Sequence, residues 1–121
     1  DTFGSGGGVN ATAALTLTNA TVLSNTSNSD GGGVIVAAPA TIIGGSYQGN
    51  RATSIYGSGG AIFVYNGSLT LRDATVSNNW AGANGGGISV NGAATISGAT
   101  LAGNTANGDQ GGGLNVSAAL V

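Results

Sequence analysis

Side chains able to do chemistry are scarce in this chain. Four carboxylates, Asp1, Asp30, Asp73 and Asp109, stand against two guanidinium groups, Arg51 and Arg72, with no Lys, Glu, His, Cys or Met. Acid–base cleavage of a polysaccharide needs paired carboxylates, or a basic residue of matched pKa, brought to one place. Asp30 and Asp109 hold equivalent positions, but in the first and fourth of the sequence repeats described below. Asp73 follows Arg72 directly, which reads as a solvated or capping pair rather than a catalytic one. A calcium site needs several converging oxygens, whereas Ser29-Asp30-Gly31 and Gly108-Asp109-Gln110 offer one carboxylate each, and the GGxGxD calcium pattern is absent. The glycine triplets lack the Lys of a phosphate loop. No catalytic residue, metal ligand or cofactor is expected.

Charge narrows the partners. The net charge is −2, and nucleic-acid binding needs clustered Lys and Arg to displace counterions from phosphates. The same shortage argues against anionic membranes, and no apolar run reaches the roughly 18–20 residues of a membrane span. Zero cysteine excludes a disulfide scaffold. A charged content of 5 % is far below that of ordinary cytosolic domains, so an extracellular or cell-surface location is expected. Low charge also suits disorder, but 40 % hydrophobic residues at regular places give the chain a core to bury.

What positions these groups is a repeat. Gly-Gly-(Gly/Ala)-aliphatic occurs as Gly6-Gly7-Gly8-Val9, Gly31-Gly32-Gly33-Val34, Gly59-Gly60-Ala61-Ile62, Gly85-Gly86-Gly87-Ile88 and Gly111-Gly112-Gly113-Leu114. The starts at 6, 31, 59, 85 and 111 are 25, 28, 26 and 26 residues apart, a period typical of solenoids. After each glycine group, apolar residues alternate with a variable one: Val9-Asn10-Ala11, Val34-Ile35-Val36, Ile62-Phe63-Val64, Ile88-Ser89-Val90, Leu114-Asn115-Val116. That is a strand with one buried face. A turn leads to a second strand with Thr outward between inward Leu, Ile or Ala, giving the column Thr16, Thr41, Thr70, Thr95. A bend at Asn19, Gly44, Asp73 or Gly98 opens a third strand, with Ala20 and Val22, Gly45 and Tyr47, Ala74 and Val76, or Ala99 and Leu101 inward. Three residues after the large inward residue comes Asn25, Asn50, Asn79 or Asn104. A polar, Gly-rich turn closes the repeat.

A hairpin meander gives no reason for one column to hold the same residue four times. One repeat per coil, stacked in parallel register about 4.8 Å apart, does. The fold expected is all-β: a right-handed parallel β-helix of about four and a half coils of roughly 26 residues, a single domain over 1–121. Its Asn column, each amide both donor and acceptor, is expected to form a hydrogen-bonded ladder, and the Thr column a weaker hydroxyl ladder. The unfinished fifth coil and the missing initiator Met lead to the expectation of a segment of a longer solenoid, or a filament unit stacking end to end on other copies.

These motifs resemble a known family. Gly59-Gly60-Ala61-Ile62 matches the GGA(I/L/V) motif of polymorphic outer-membrane protein repeats. Tyr47-Gln48-Gly49-Asn50 approximates the companion FxxN, and Val22 to Asn25, Val76 to Asn79 and Leu101 to Asn104 fit it with an aliphatic residue in place of Phe. The pattern is also similar to repeats of autotransporter passengers and other pectin-lyase-like β-helices. The resemblance covers essentially the whole chain. It implies a surface adhesin or structural passenger, with polysaccharide lyases as enzymatic relatives, and carries no catalytic residue with it.

The function expected is therefore structural and non-catalytic: a stalk, adhesin passenger or filament segment. The alternative is a carbohydrate-binding or lyase-like β-helix. Ice binding would use the Thr column, but its neighbouring rank, Thr18, Ile43, Arg72 and Ser97, is broken by a charge and an aliphatic residue. Of five N-x-Ser/Thr sequons, Asn10, Asn66 and Asn115 are the candidates for glycosylation, because Asn25 belongs to the inward ladder and Asn19 to a bend. Phe63, Tyr65 and Trp80 could form an aromatic patch for sugars, or simply pack.

Overall fold

The computed structural model describes residues 7–108 and 111–121; Asp1, Gly6 and Asp109 lie outside them. The chain winds as a parallel β-solenoid of four coils and the opening of a fifth. Equivalent strands of successive coils pair only in parallel, as the repeat predicts. The first sheet has five strands, Val9–Ala11, Val34–Val36, Ile62–Val64, Ile88–Val90 and Leu114–Val116. The second has four, Leu15–Thr18, Ala40–Ile43, Leu69–Arg72 and Ala94–Ser97. The third also has four, Thr21–Leu23, Ser46–Gln48, Thr75–Ser77 and Thr100–Ala102. Register is strict: Leu15 pairs with Ala40, Ala40 with Leu69, and Leu69 with Ala94.

A fourth sheet corrects the three-strand repeat. Thr26–Ser27, Arg51–Ala52, Trp80–Ala81 and Thr105–Ala106 pair in parallel immediately after the Asn column. Each two-residue strand turns one small residue inward, and Ser27, Ala52 and Ala81 are buried. The second glycine of each corner packs directly on these strands. A Cβ on Gly32 would lie 2.5 Å from the backbone nitrogen of Arg51, and one on Gly60 2.6 Å from the carbonyl oxygen of Trp80. Backbone thus meets backbone at this corner, beside inward residues that are all small.

The first glycine of the corner does something else. Gly31, Gly59, Gly85 and Gly111 have φ of 59°, 70°, 61° and 59°, a region that only Gly enters freely. This turn folds the corner back over the outer face of the next strand: a Cβ on Gly31 or Gly59 would stand 2.8 Å from the Cβ of Ile35 or Phe63. The middle residue of the first strand is therefore covered in the inner coils. Ile35, Phe63 and Ser89 are 2 %, 8 % and 1 % exposed, where alternation alone predicted an open face.

The core lies between the first three sheets. Val34, Val36, Ile62, Val64, Ile88 and Val90 meet Ile42, Leu69 and Leu71 of the second sheet and Tyr47 and Val76 of the third. One misfit stands out. Tyr47 occupies the column of Val22, Val76 and Leu101, fully buried, and its hydroxyl has no hydrogen-bond partner. Burial pushes this phenol up to about 12 from 10.0.

The bends use two further left-handed columns. Asn19, Gly44, Asp73 and Gly98 separate the second and third sheets, with φ of 51°, 66°, 54° and 62°. Ser24, Gly49, Asn78 and Gly103 separate the third and fourth, with φ of 54°, 66°, 56° and 64°. In both columns a short polar residue alternates with glycine. The side-chain oxygens of Asn19, Asp73 and Asn78 occupy the space that a Cβ on Gly44, Gly98 or Gly103 of the next coil would need.

Gly59→Ala forces a side chain into both a left-handed conformation and the covering turn, and is expected to cost about 2 kcal/mol or more by urea denaturation. Tyr47→Phe removes a buried unpaired hydroxyl and is expected to add about 1 kcal/mol at neutral pH. The phenol ionises at lower pH in the unfolded chain than in the fold. Its linkage contribution is therefore complete below pH 10 and is lost as pH rises towards 12, by roughly 2–3 kcal/mol in total. A pH series of unfolding midpoints should show this alkaline decline in the parent and a shallower one in Tyr47→Phe.

Candidate functional site

The Asn column is built as a continuous ladder. Asn50 Oδ1 accepts from both the backbone N–H (3.0 Å) and Nδ2 (3.1 Å) of Asn25. Asn79 Oδ1 does the same for Asn50, at 2.8 and 3.0 Å, and Asn104 Oδ1 for Asn79, at 3.0 and 2.9 Å. The second Nδ2 hydrogen reaches a carbonyl of the previous coil: Asn50 to Val22, Asn79 to Tyr47 and Asn104 to Val76, each at 2.9 Å. Asn50 and Asn79 are buried with every side-chain donor and acceptor filled. The third residue of the glycine corner packs on the ladder: a Cβ on Gly33 would lie 3.1 Å from Asn50 Cγ, and one on Gly87 3.0 Å from Asn104 Cγ. The ladder is thus walled in by its own coils, and no substrate can approach the two inner amides.

The Thr column is in register, Thr16 beside Thr41, Thr70 and Thr95. It points outward, with Thr16 and Thr95 exposed and Thr41 and Thr70 half-buried. Its hydroxyls do not hydrogen-bond to one another, so the expected hydroxyl ladder is absent. These side chains lean on solvent and contribute mainly the packing of a β-branched residue on a pleated surface.

The ionisable groups do not converge. Asp30, in the return turn of coil one, accepts the Ser58 N–H at 2.8 Å, which ties that turn to the next. Asp73 sits at a left-handed bend with its carboxylate over Gly98. It makes no ion pair with Arg72, and both residues are exposed, as the solvated alternative has it. Among the described residues no three His, Cys, Asp or Glu cluster, and no pocket opens. Of the sequon residues, Asn10 and Asn66 are exposed and Asn115 is half-buried. Asn10 and Asn115 lie in the middle column of the first sheet and Asn66 in the turn after it.

The aromatic patch is split. Phe63 is largely covered, and its ring centre lies 5.9 Å from that of Tyr65 on the first sheet. Trp80 belongs to the fourth sheet, where the Arg51 guanidinium carbon lies 5.1 Å from its ring centre. This Arg–Trp pair was missed because the residues are 29 positions apart in chain segments that look like turn. Between the ladder Asn and the next glycine corner lie five residues in coils one and three, six in coil four and eight in coil two. That lengthening was the signal that coil two differs here.

Compared with family models, with curated proteins and with solved structures, the chain matches none.

Asn79→Ala strips acceptors from two Asn50 donors and donors from Tyr47 and Asn104. It is expected to cost on the order of 4 kcal/mol. Asn25→Ala removes one described side-chain bond and should cost about 1 kcal/mol. Thr70→Val is expected to stay within about 0.5 kcal/mol of the parent. Chemical denaturation of the three variants checks the order.

Proposed function

We propose that this chain is a stretch of a non-catalytic, rigid β-solenoid outside the cell, acting as a stalk, adhesin passenger or filament segment. The observation that carries the reading is the ladder. The Asn side chain, which recurs in all four coils, is spent on joining coil to coil, and its neighbours at the corner are glycines that let backbone meet backbone. A polar column facing a substrate would be open to water; Asn50 and Asn79 are closed from it. The strictly parallel stack also favours stiffness. Every coil is tied to the next through four sheets, so bending the axis must stretch hydrogen bonds on one side.

The lyase-like alternative has less support. Asp30 and Asp73 serve a loop and a bend, with Asp30 hydrogen-bonded to Ser58. The ice-binding reading keeps one regular Thr rank, but Ile43 and Arg72 lie in register beside it, and they interrupt a flat hydroxyl surface. An external location rests on the low charge.

Incubation with neutral and acidic polysaccharides is expected to release neither reducing ends nor unsaturated products. Release that falls on Asp73→Ala would overturn the non-catalytic reading. Freezing-point assays should show no thermal hysteresis. Negative-stain images of concentrated protein should show end-to-end particles if the filament version holds, and monodisperse monomers would remove that version while leaving the stalk.

A further inference from the structure

The fourth sheet carries an outward column running along the axis: Thr26, Arg51, Trp80 and Thr105, in register. Here a cation and a large aromatic meet. Arg51 is exposed, and its guanidinium rests over the Trp80 ring at 5.1 Å. Among the described residues, neither a carboxylate nor any hydrogen-bond acceptor engages it. A guanidinium held by an aromatic face keeps its N–H edge free for a planar oxyanion, which it binds in bidentate fashion.

The long return of coil two stands beside the middle of this column. It leaves directly after Ala52 and is fastened at both ends. Thr53 donates to the Ser27 carbonyl from its backbone (2.8 Å) and its hydroxyl (3.1 Å). Gly57 donates to the Ser54 carbonyl at 2.8 Å and accepts from Ala83 at 2.8 Å, while Ser58 is held by Asp30. Gly82, two residues beyond Trp80, lies under the loop: a Cβ there would stand 3.4 Å from Ile55 Cα. Between these anchors Ile55 and Tyr56 stand 74 % and 80 % exposed. Large apolar groups on a braced turn lose little further freedom on binding.

We propose that Arg51, Trp80 and the Ile55–Tyr56 tip form a binding site for an acidic saccharide, the Arg51 guanidinium taking a sugar carboxylate and the two aromatic rings the sugar's C–H faces. Charge complementarity selects the anion, since no carboxylate among the described residues pairs with Arg51. The flanking Thr26 and Thr105 hydroxyls suit sugar hydroxyls, and the axial run of the column suits an extended chain rather than a single residue. The site would equip a stalk to hold an anionic glycan, and the stalk reading does not depend on it.

Trp80 is the chain's single tryptophan, so its emission reports on the site directly. Oligomers of mannuronate from alginate are titrated against the whole chain, with maltooligosaccharide of equal length and oligoglutamate in parallel. A saturable change in emission is expected with the uronate alone. Its affinity should fall about tenfold with Arg51→Gln and several-fold with Tyr56→Ala, and stay unchanged with Arg72→Gln on the second sheet. Circular dichroism confirms that each variant keeps its β-spectrum. No saturable response to the uronate at millimolar concentration, equal binding by Arg51→Gln, or equal binding of oligoglutamate or maltooligosaccharide would each overturn the proposal.

Discussion

The amide hydrogen bonds that pass from Asn25 to Asn50, Asn79 and Asn104 fix everything else in register. A parallel ladder of short strands has no hairpin to set its alignment, and a slip of one residue would turn Thr inward and Leu outward along a whole strand. The Asn side chain resolves this because its oxygen takes two donors of the preceding coil at once. Only one alignment supplies both. With that row fixed, the apolar columns three residues earlier fall into line, and so do the small residues two positions later that close the fourth sheet.

The price of this arrangement is a narrow interior. Each coil contributes a few aliphatic side chains from three sheets, and the glycine corner pressed against the fourth strand leaves no room for more. The fold compensates by making the polar groups that must be inside pair with one another. Tyr47 shows the opposite case. It fills its column with the largest side chain there and carries a hydroxyl inward that nothing receives. Shape complementarity holds it in place at the expense of an unsatisfied polar atom.

How much of this could be read from residues alone follows from how strongly each feature repeats. The Asn and Thr columns recur in four copies and the glycine corner in five, and their registers emerged on aligning the copies. The fourth sheet left no periodic trace, because a two-residue strand has no alternation. Its signature was a small residue two places after each ladder Asn, at Ser27, Ala52, Ala81 and Ala106. Burial of Ile35, Phe63 and Ser89 was illegible for another reason: what covers them is backbone from the preceding turn. The Arg51–Trp80 pair escaped because it occurs once, and a method that finds what repeats passes over what does not.

The alternation of glycine with a short polar residue at the two left-handed bends has a consequence for how such a solenoid can grow. Asn19, Gly44, Asp73, Gly98 and Ser24, Gly49, Asn78, Gly103 change in step, since the side chain of one coil occupies the space over the next. Copying a polar coil, or cutting out a glycine coil that lies between two polar ones, brings two such side chains against each other, whereas a glycine coil can be copied without that clash. Lengthening of this rod is therefore easiest by copying a coil whose two bends are glycine.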